Sequence, residues 1–193
     1  TTIQEIVKSC PTAPNPPKHF TGRAAELTTL QNELTKTDVV AITAVRSMGG
    51  MGKTSLVQAF CHLPSMPFGA VLWAELTQSP QLNAILLTWG SYAKDSFTLP
   101  SETPVEQIAD LVRAMLTELI TNQCGGKTLV VFDDVWDNEA CYSAVSLLRR
   151  AMPTGAQVLL TTRQEQVAND PRLKAHALSL NELLDSDAKL LLQ

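Results

Sequence analysis

Lys53 and Thr54 stand directly behind three closely spaced glycines in S-M-G-G-M-G-K-T, and no other residues of this chain have a chemistry so narrowly constrained. Gly49, Gly50 and Gly52 reach backbone angles closed to other residues, so successive N–H groups can turn inward around an anion. Lys53 then brings positive charge to the β- and γ-phosphates of a nucleotide. Thr54 offers a hydroxyl to a magnesium ion, and Ser55 follows it, where a helix begins and its dipole favours negative charge. One position departs from the pattern G-x-x-x-x-G-K-[ST]: Ser47 stands where the pattern has glycine. A bare G-K-[ST] is a weak signal, and a surface glycine-rich turn is the plain alternative. Its context strengthens it. Val39, Val40, Ala41, Ile42 and Val45 form a β-rich run before the loop, and Leu56, Val57, Ala59 and Phe60 follow at helical spacing.

Phosphoryl transfer needs charge neutralisation, a metal ion and an oriented water. The run Leu129-Val130-Val131-Phe132-Asp133-Asp134 supplies acids at the end of an apolar strand. Asp133 is placed to hold magnesium, directly or through water. Asp134 is the candidate to polarise the attacking water; capping the following helix or turn is its other use. Asp137 reads as the cap of the next helix. Arg163 ends another apolar run and would project toward the γ-phosphate, where its charge tells ATP from ADP. A surface arginine is the alternative there, and Thr161 and Thr162 offer either hydroxyls or β-propensity.

The elements that must position these groups alternate along the chain. Residues 1–20 hold Pro11, Pro14, Pro16 and Pro17, which suits an extended linker. In T-G-R-A-A-E-L-T-T-L-Q-N-E-L, Leu27, Leu30 and Leu34 predict a helix that Thr21 would cap. Strands are predicted at G-A-V-L-W-A-E-L, K-T-L-V-V-F-D-D-V-W-D and G-A-Q-V-L-L-T-T-R, with A-H-A-L-S-L as a fifth. Helices are predicted over 81–95, 104–122 and 138–150. The second carries Val105, Ile108, Leu111, Val112, Met115, Leu119 and Ile120 as one core stripe. Strands alternating with helices predict an α/β fold of the three-layer P-loop NTPase type, its parallel sheet of roughly five strands flanked by helices. Ligands in such sheets sit at the carboxyl ends of the strands, where all three groups fall.

The 193 residues suit one domain, and the net charge of −4 argues against nucleic-acid and anionic-membrane binding. No apolar run approaches the ~18–20 residues needed to cross a bilayer, so the chain reads as cytoplasmic. Cys10, Cys61, Cys124 and Cys141 show no metal-ligand spacing and read as reduced thiols, and His19, His62 and His176 are equally dispersed. The chain opens without methionine and stops inside L-L-D-S-D-A-K-L-L-L-Q, which reads as a piece of something longer.

Order and spacing of these motifs resemble the NB-ARC nucleotide-binding domain, the signalling ATPase of apoptotic protease-activating and plant disease-resistance proteins within the STAND class. H-F-T-G-R-A-A-E-L-T-T-L is similar to its opening motif. M-G-G-M-G-K-T-S-L, L-V-V-F-D-D-V-W-D and Q-V-L-L-T-T-R resemble its Walker A, Walker B and TTR segments. V-L-W-A-E-L-T-Q-S and L-S-L-N-E-L-L-D-S-D-A-K-L-L-L resemble further family segments. The resemblance implies a domain over 21–193 in which Phe20, Thr21 and Arg23 lie near adenine. It also implies that Met48 to Ser55 wrap the phosphates of ADP or ATP, that Thr54 and Asp133 serve magnesium, and that Lys53, Asp134 and Arg163 act on the γ-phosphate. A nucleotide-dependent switch controlling self-association of a larger protein is implied with it, together with slow hydrolysis. The family's G-L-P-L helical segment, winged helix and M-H-D histidine have no counterpart within these residues, nor does any repeat domain. In the family those parts lock ADP, so looser nucleotide binding is expected here. Ser47 departs from the family glycine, and its Cβ restricts the backbone angles open to the loop.

Rival readings differ in class. Thr35-Lys36-Thr37-Asp38 matches the guanine-reading pattern [NT]-K-x-D, but that motif must follow a strand of the sheet and here it ends a helical stripe just before the phosphate-loop strand; D-x-x-G is also missing, with Asp134-Val135-Trp136-Asp137 in its place. A small-molecule kinase would need an arginine-rich lid after the third strand. A catalytically inactive, nucleotide-locked interaction scaffold is the remaining alternative.

Overall fold

The run Val39, Val40, Ala41, Ile42 has no polar face, so as a strand it can be stable only inside a sheet covered on both sides. A computed structural model describes residues 13–18, 20–44, 52–99, 101–123 and 127–180 and shows that arrangement. Helix α1 (Ala24–Lys36) leads into strand β1 (Val39–Ala44), and helix α2 (Lys53–Cys61) precedes β2 (Ala70–Glu75). Helices α3 (Leu82–Ala93) and α4 (Val105–Gln123) follow, then β3 (Thr128–Val135), α5 (Glu139–Ala151), β4 (Gln157–Thr162), the single turn α6 (Glu165–Ala168) and β5 (His176–Leu180). The five strands order as β2-β3-β4-β1-β5, and every pairing is parallel. The expected α/β class and parallel five-stranded sheet are what the chain adopts.

Each central strand divides its side chains between two cores, as the period of two requires. Val130, Phe132, Val158 and Leu160 join α3, α4 and α5 on one face, with Trp89, Leu116 and Leu148 fully buried. Leu129, Val131, Leu159, Val40 and Ile42 join α1 and α2 on the other, with Leu30, Leu56 and Phe60. The indole N–H of Trp89 donates to the carbonyl of Trp73 at 2.9 Å, tying α3 to β2.

Several local expectations are corrected. Thr21 does not cap α1: Arg23 occupies the N-cap at φ 63 with no side-chain capping bond, and its guanidinium reaches Glu26 at 2.7 Å. Leu111 is 43% exposed, because the row that packs on α4 runs Ile108, Val112, Leu116, Ile120 at i+4 spacing and leaves Leu111 on its flank. Asp137 does not cap α5. Asn138, extended at φ −150, accepts the Cys141 N–H at 2.8 Å, and Asp137 accepts the Tyr142 hydroxyl at 3.0 Å. The turn α6 has no counterpart among the predicted elements. Val45, Ser47, Met48, Gly49, Gly50 and Met51 of the phosphate loop lie outside the described residues, as do Cys10, Cys124, His19, most of the proline-rich start and the apolar stretch at 183–193. Cys61 and Cys141 are both buried. Among the described residues no helix is long and apolar enough to cross a membrane.

Candidate functional site

The strand order sets β4 between β3 and β1, so the ends of three segments far apart in sequence meet at the carboxyl edge of the sheet. Gly52, at φ 74, is the N-cap of α2. A Cβ there would meet nothing within 4 Å, so the backbone angle and not crowding asks for glycine. The next two residues open the helix, and Lys53 is only 9% exposed.

Thr54 reaches across to β3. Its hydroxyl donates to Asp133 Oδ1 at 2.9 Å, and the Thr161 hydroxyl donates to the same oxygen at 2.6 Å. Asp133 is 5% exposed, and burial pushes its carboxyl above the usual range despite these two hydroxyls, with the charge of Asp134 adding to the rise. Lys53 is driven the other way: burial lowers its pKa, the Arg163 charge adds to that, and Asp134 and Asp133 oppose it. The buried Lys53 and Asp133 therefore each lose solvation while lying within reach of one another's charge.

Asp134 sits on an irregularity of β3. Between the pairs Phe132↔Leu160 and Val135↔Thr162, β3 advances three residues while β4 advances two, so the extra residue falls at the two acids. Asp134 takes φ 55, a left-handed angle that aspartate tolerates better than most side chains, and its N–H donates to Thr161 Oγ1 at 3.0 Å. Its carboxylate is bridged: Arg163 Nε donates to Oδ1 at 3.1 Å and Trp136 Nε1 to Oδ2 at 3.0 Å. The Arg163 guanidinium lies 5.8 Å from the centroid of the Trp136 ring.

The structure thus brings Lys53, Thr54, Asp133, Asp134 and Arg163 together, with Gly52 and the half-buried Ser55 on the same helix start. Phe20, Thr21 and Arg23 form a separate stretch ahead of α1, where Phe20 packs against the core shared by α1 and α2. The choice the sequence leaves open at Thr161 falls to its hydroxyl, and Trp136 is a contributor with no role in the sequence pattern. Thr161 bridges both acids, and Trp136 holds the second; a threonine pair ending a buried strand opposite an acid pair is the signal that could have decided for the hydroxyl. Lys36 and Asp38 of the guanine-like pattern sit at the end of α1 and just before β1, the opposite edge of the sheet. A concavity of about 690 Å³ beside Tyr142, Arg149 and Arg172 shares no residue with the group.

The oxygen donors of Thr54 and Asp133 suit a hard divalent cation such as magnesium. Among the described residues no three His, Cys, Asp or Glu side chains cluster as a metal cage, so protein ligands would be few and phosphate or water oxygens would complete the shell.

The model of the NB-ARC domain matches residues 23–193. Among curated proteins, disease resistance protein RPP13 of Arabidopsis thaliana is 31% identical over 145 residues, covering 71% of this chain, and probable disease resistance protein RXW24L of the same plant is 29% identical over 154 residues, covering 77%. Each of these matches spans 16% of the relative's own length. Among solved structures, a Walker-type ATPase of Pyrococcus abyssi superposes with a TM-score of 0.61 at 15% identity, over 93% of this chain and 59% of that one. Aeropyrum pernix ORC2, solved as ADPNP-ADP complexes, gives 0.58 at 16% identity over 92% of this chain and 52% of its own. At such identities the two structures speak for a shared fold.

Proposed function

The chain belongs to the NB-ARC domain family, and from that premise we propose that it is an ADP- and ATP-binding signalling module that hydrolyses ATP slowly and switches the association state of a larger protein. The observation that carries this reading is the hydrogen bond from Thr54 to Asp133, 79 residues apart, beside the buried Lys53. Such a cluster is costly unless a ligand uses it, because burying Lys53 and Asp133 disfavours the charged form of each.

Each residue has a task. The N–H groups at the start of α2 and the Lys53 ammonium would hold phosphate oxygens. Thr54 and Asp133 would hold magnesium, which when bound neutralises charge on those oxygens. Asp134 would accept the proton of a water whose oxygen bonds the γ-phosphorus while the bond to the bridging oxygen breaks and ADP leaves. Arg163 would exchange its Asp134 contact for the γ-phosphate and so distinguish ATP from ADP. Phe20, Thr21 and Arg23 would flank adenine. In the intact protein, ATP would favour the associating state by binding it more tightly than the closed one.

Calorimetric titration of the nucleotide-free chain with Mg-ADP tests this directly. Micromolar binding is expected in the wild type and its loss in Lys53→Ala; equal heats from both would defeat the reading. A nucleotide-locked scaffold is the second reading, favoured by the engagement of both Asp134 oxygens by Arg163 and Trp136. Phosphate release separates the two readings: equal rates from wild type and from Asp134→Ala would favour the scaffold.

A further inference from the structure

Asp134, Trp136 and Arg163 close on one another, and only two of the three have a task in the reading above. Each member touches both others: indole N–H to carboxylate, guanidinium to carboxylate, and guanidinium over the indole ring. The main chain of Asp134 is already pinned by its N–H on Thr161, so its remaining freedom is the orientation of the carboxylate. Two donors set that orientation, and they differ in kind. Arg163 is charged and 54% exposed, so its ion pair with Asp134 is of the weak, solvent-screened type and yields to a stronger anion nearby. The indole is a neutral group that only donates, on a half-buried ring two residues along the same chain, and it stays when Arg163 leaves.

We propose that Trp136 is a positioning residue for ATP hydrolysis: it seats Arg163 on its ring while the site awaits a γ-phosphate, and its N–H keeps the Asp134 carboxylate in place once Arg163 turns to that phosphate. Without the indole N–H, a carboxylate released by Arg163 swings toward the Lys53 ammonium, whose charge it already feels. The attacking water then loses its acceptor. This inference rests on the nucleotide-hydrolysis reading, and its test keeps the two apart.

Trp136→Phe retains an aromatic ring beside Arg163 and removes the N–H together with the second ring of the indole, so a purely structural effect would show in KM and ADP affinity as well. ADP affinity, KM and kcat are measured for the wild type and the variant, together with acrylamide quenching of tryptophan fluorescence in the wild type. Trp73 and Trp89 are 7% and 0% exposed, so the quenchable emission belongs to Trp136. The expected result for Trp136→Phe is a loss of about ten- to hundredfold in kcat, the weight of a hydrogen bond to a charged group. KM and ADP affinity stay within about twofold, as for an interaction that matters in the transition state. Quenching in the wild type rises with a non-hydrolysable ATP analogue and not with ADP, as Arg163 uncovers the ring. An unchanged kcat overturns the assignment, and so does a loss of ADP affinity matching the loss of kcat, or quenching that does not respond to the ATP analogue. A wild type that binds ADP yet releases no phosphate overturns it together with the hydrolysis part of the reading on which it rests. A wild type that binds no ADP instead defeats the reading on which it rests.

Discussion

Thr161 shows how much one hydroxyl can organise. It donates to Asp133 and accepts from the N–H of Asp134, so the same oxygen steadies both acids while itself 2% exposed. Thr161→Val keeps the shape and removes both bonds, leaving a buried carboxylate short of a donor and a main-chain N–H short of an acceptor. A loss of about 1–3 kcal/mol in unfolding free energy is expected, the usual cost of unsatisfied buried groups. Thr161→Ser, which returns the hydroxyl, should recover most of it; urea unfolding curves of the three chains decide the matter, and equal losses in Val and Ser would assign the effect to packing. From sequence, the grouping of Lys53, Thr54 and the acid pair was legible because phosphate binding constrains residue type and spacing together. The role of Thr161 was not, because threonine at a strand end is equally well explained by β-propensity. The Trp136 contact depends on the bulge at the acids, a feature with no residue-type signature.

At the scale of elements, helix α3 contains a glycine that propensity alone would replace. A Cβ on Gly90 would lie 2.2 Å from Cδ1 of Phe97, because the chain turns back after the helix and sets that ring on the glycine. Helix propensity offers at most about 1 kcal/mol for Gly90→Ala, whereas overpacking costs about 1–3, so a net loss of stability is expected. Phe97→Leu in the same chain should restore part of that loss; a Gly90→Ala chain more stable than wild type would show that the ring gives way freely. Long periodic elements were readable within a residue or two, since α4 and the central strands bury continuous apolar faces. Ends were harder. The cap of α5 passes from Asp137 to Asn138 because both residues suit the role, and the choice falls to whichever stands extended one residue before the first turn. Helix α6 is a single turn, too short to display a period.

Across the whole molecule, the response to acid is a sum of opposed residues. Bonds from Arg172 hold the Asp170 carboxyl down to about 2, so folding favours its charged form. Its contribution is in place above the unfolded value, about 4, and is lost as the pH falls toward the folded one. Asp133 runs opposite: its pKa is raised on folding, so its contribution is complete below the unfolded value and is lost as the pH rises through the folded one. The difference in urea midpoint between wild type and Asp170→Asn should therefore shrink as the pH is lowered from 6 through about 4 toward about 2. A difference independent of pH would show that the Arg172 contact does not couple to folding. The strand order has a consequence of another kind, for the making of the chain. Val39 pairs with Val158 and Val40 with His176, so β1 has no sheet partner until residues more than a hundred positions later have left the ribosome. At about 5–20 residues per second, the strand that leads into the phosphate loop waits on the order of ten seconds as an unpaired apolar segment. During translation it is a natural site for chaperone capture, and the cluster of Thr54, Asp133 and Thr161 is complete only after the rest of the sheet has been made.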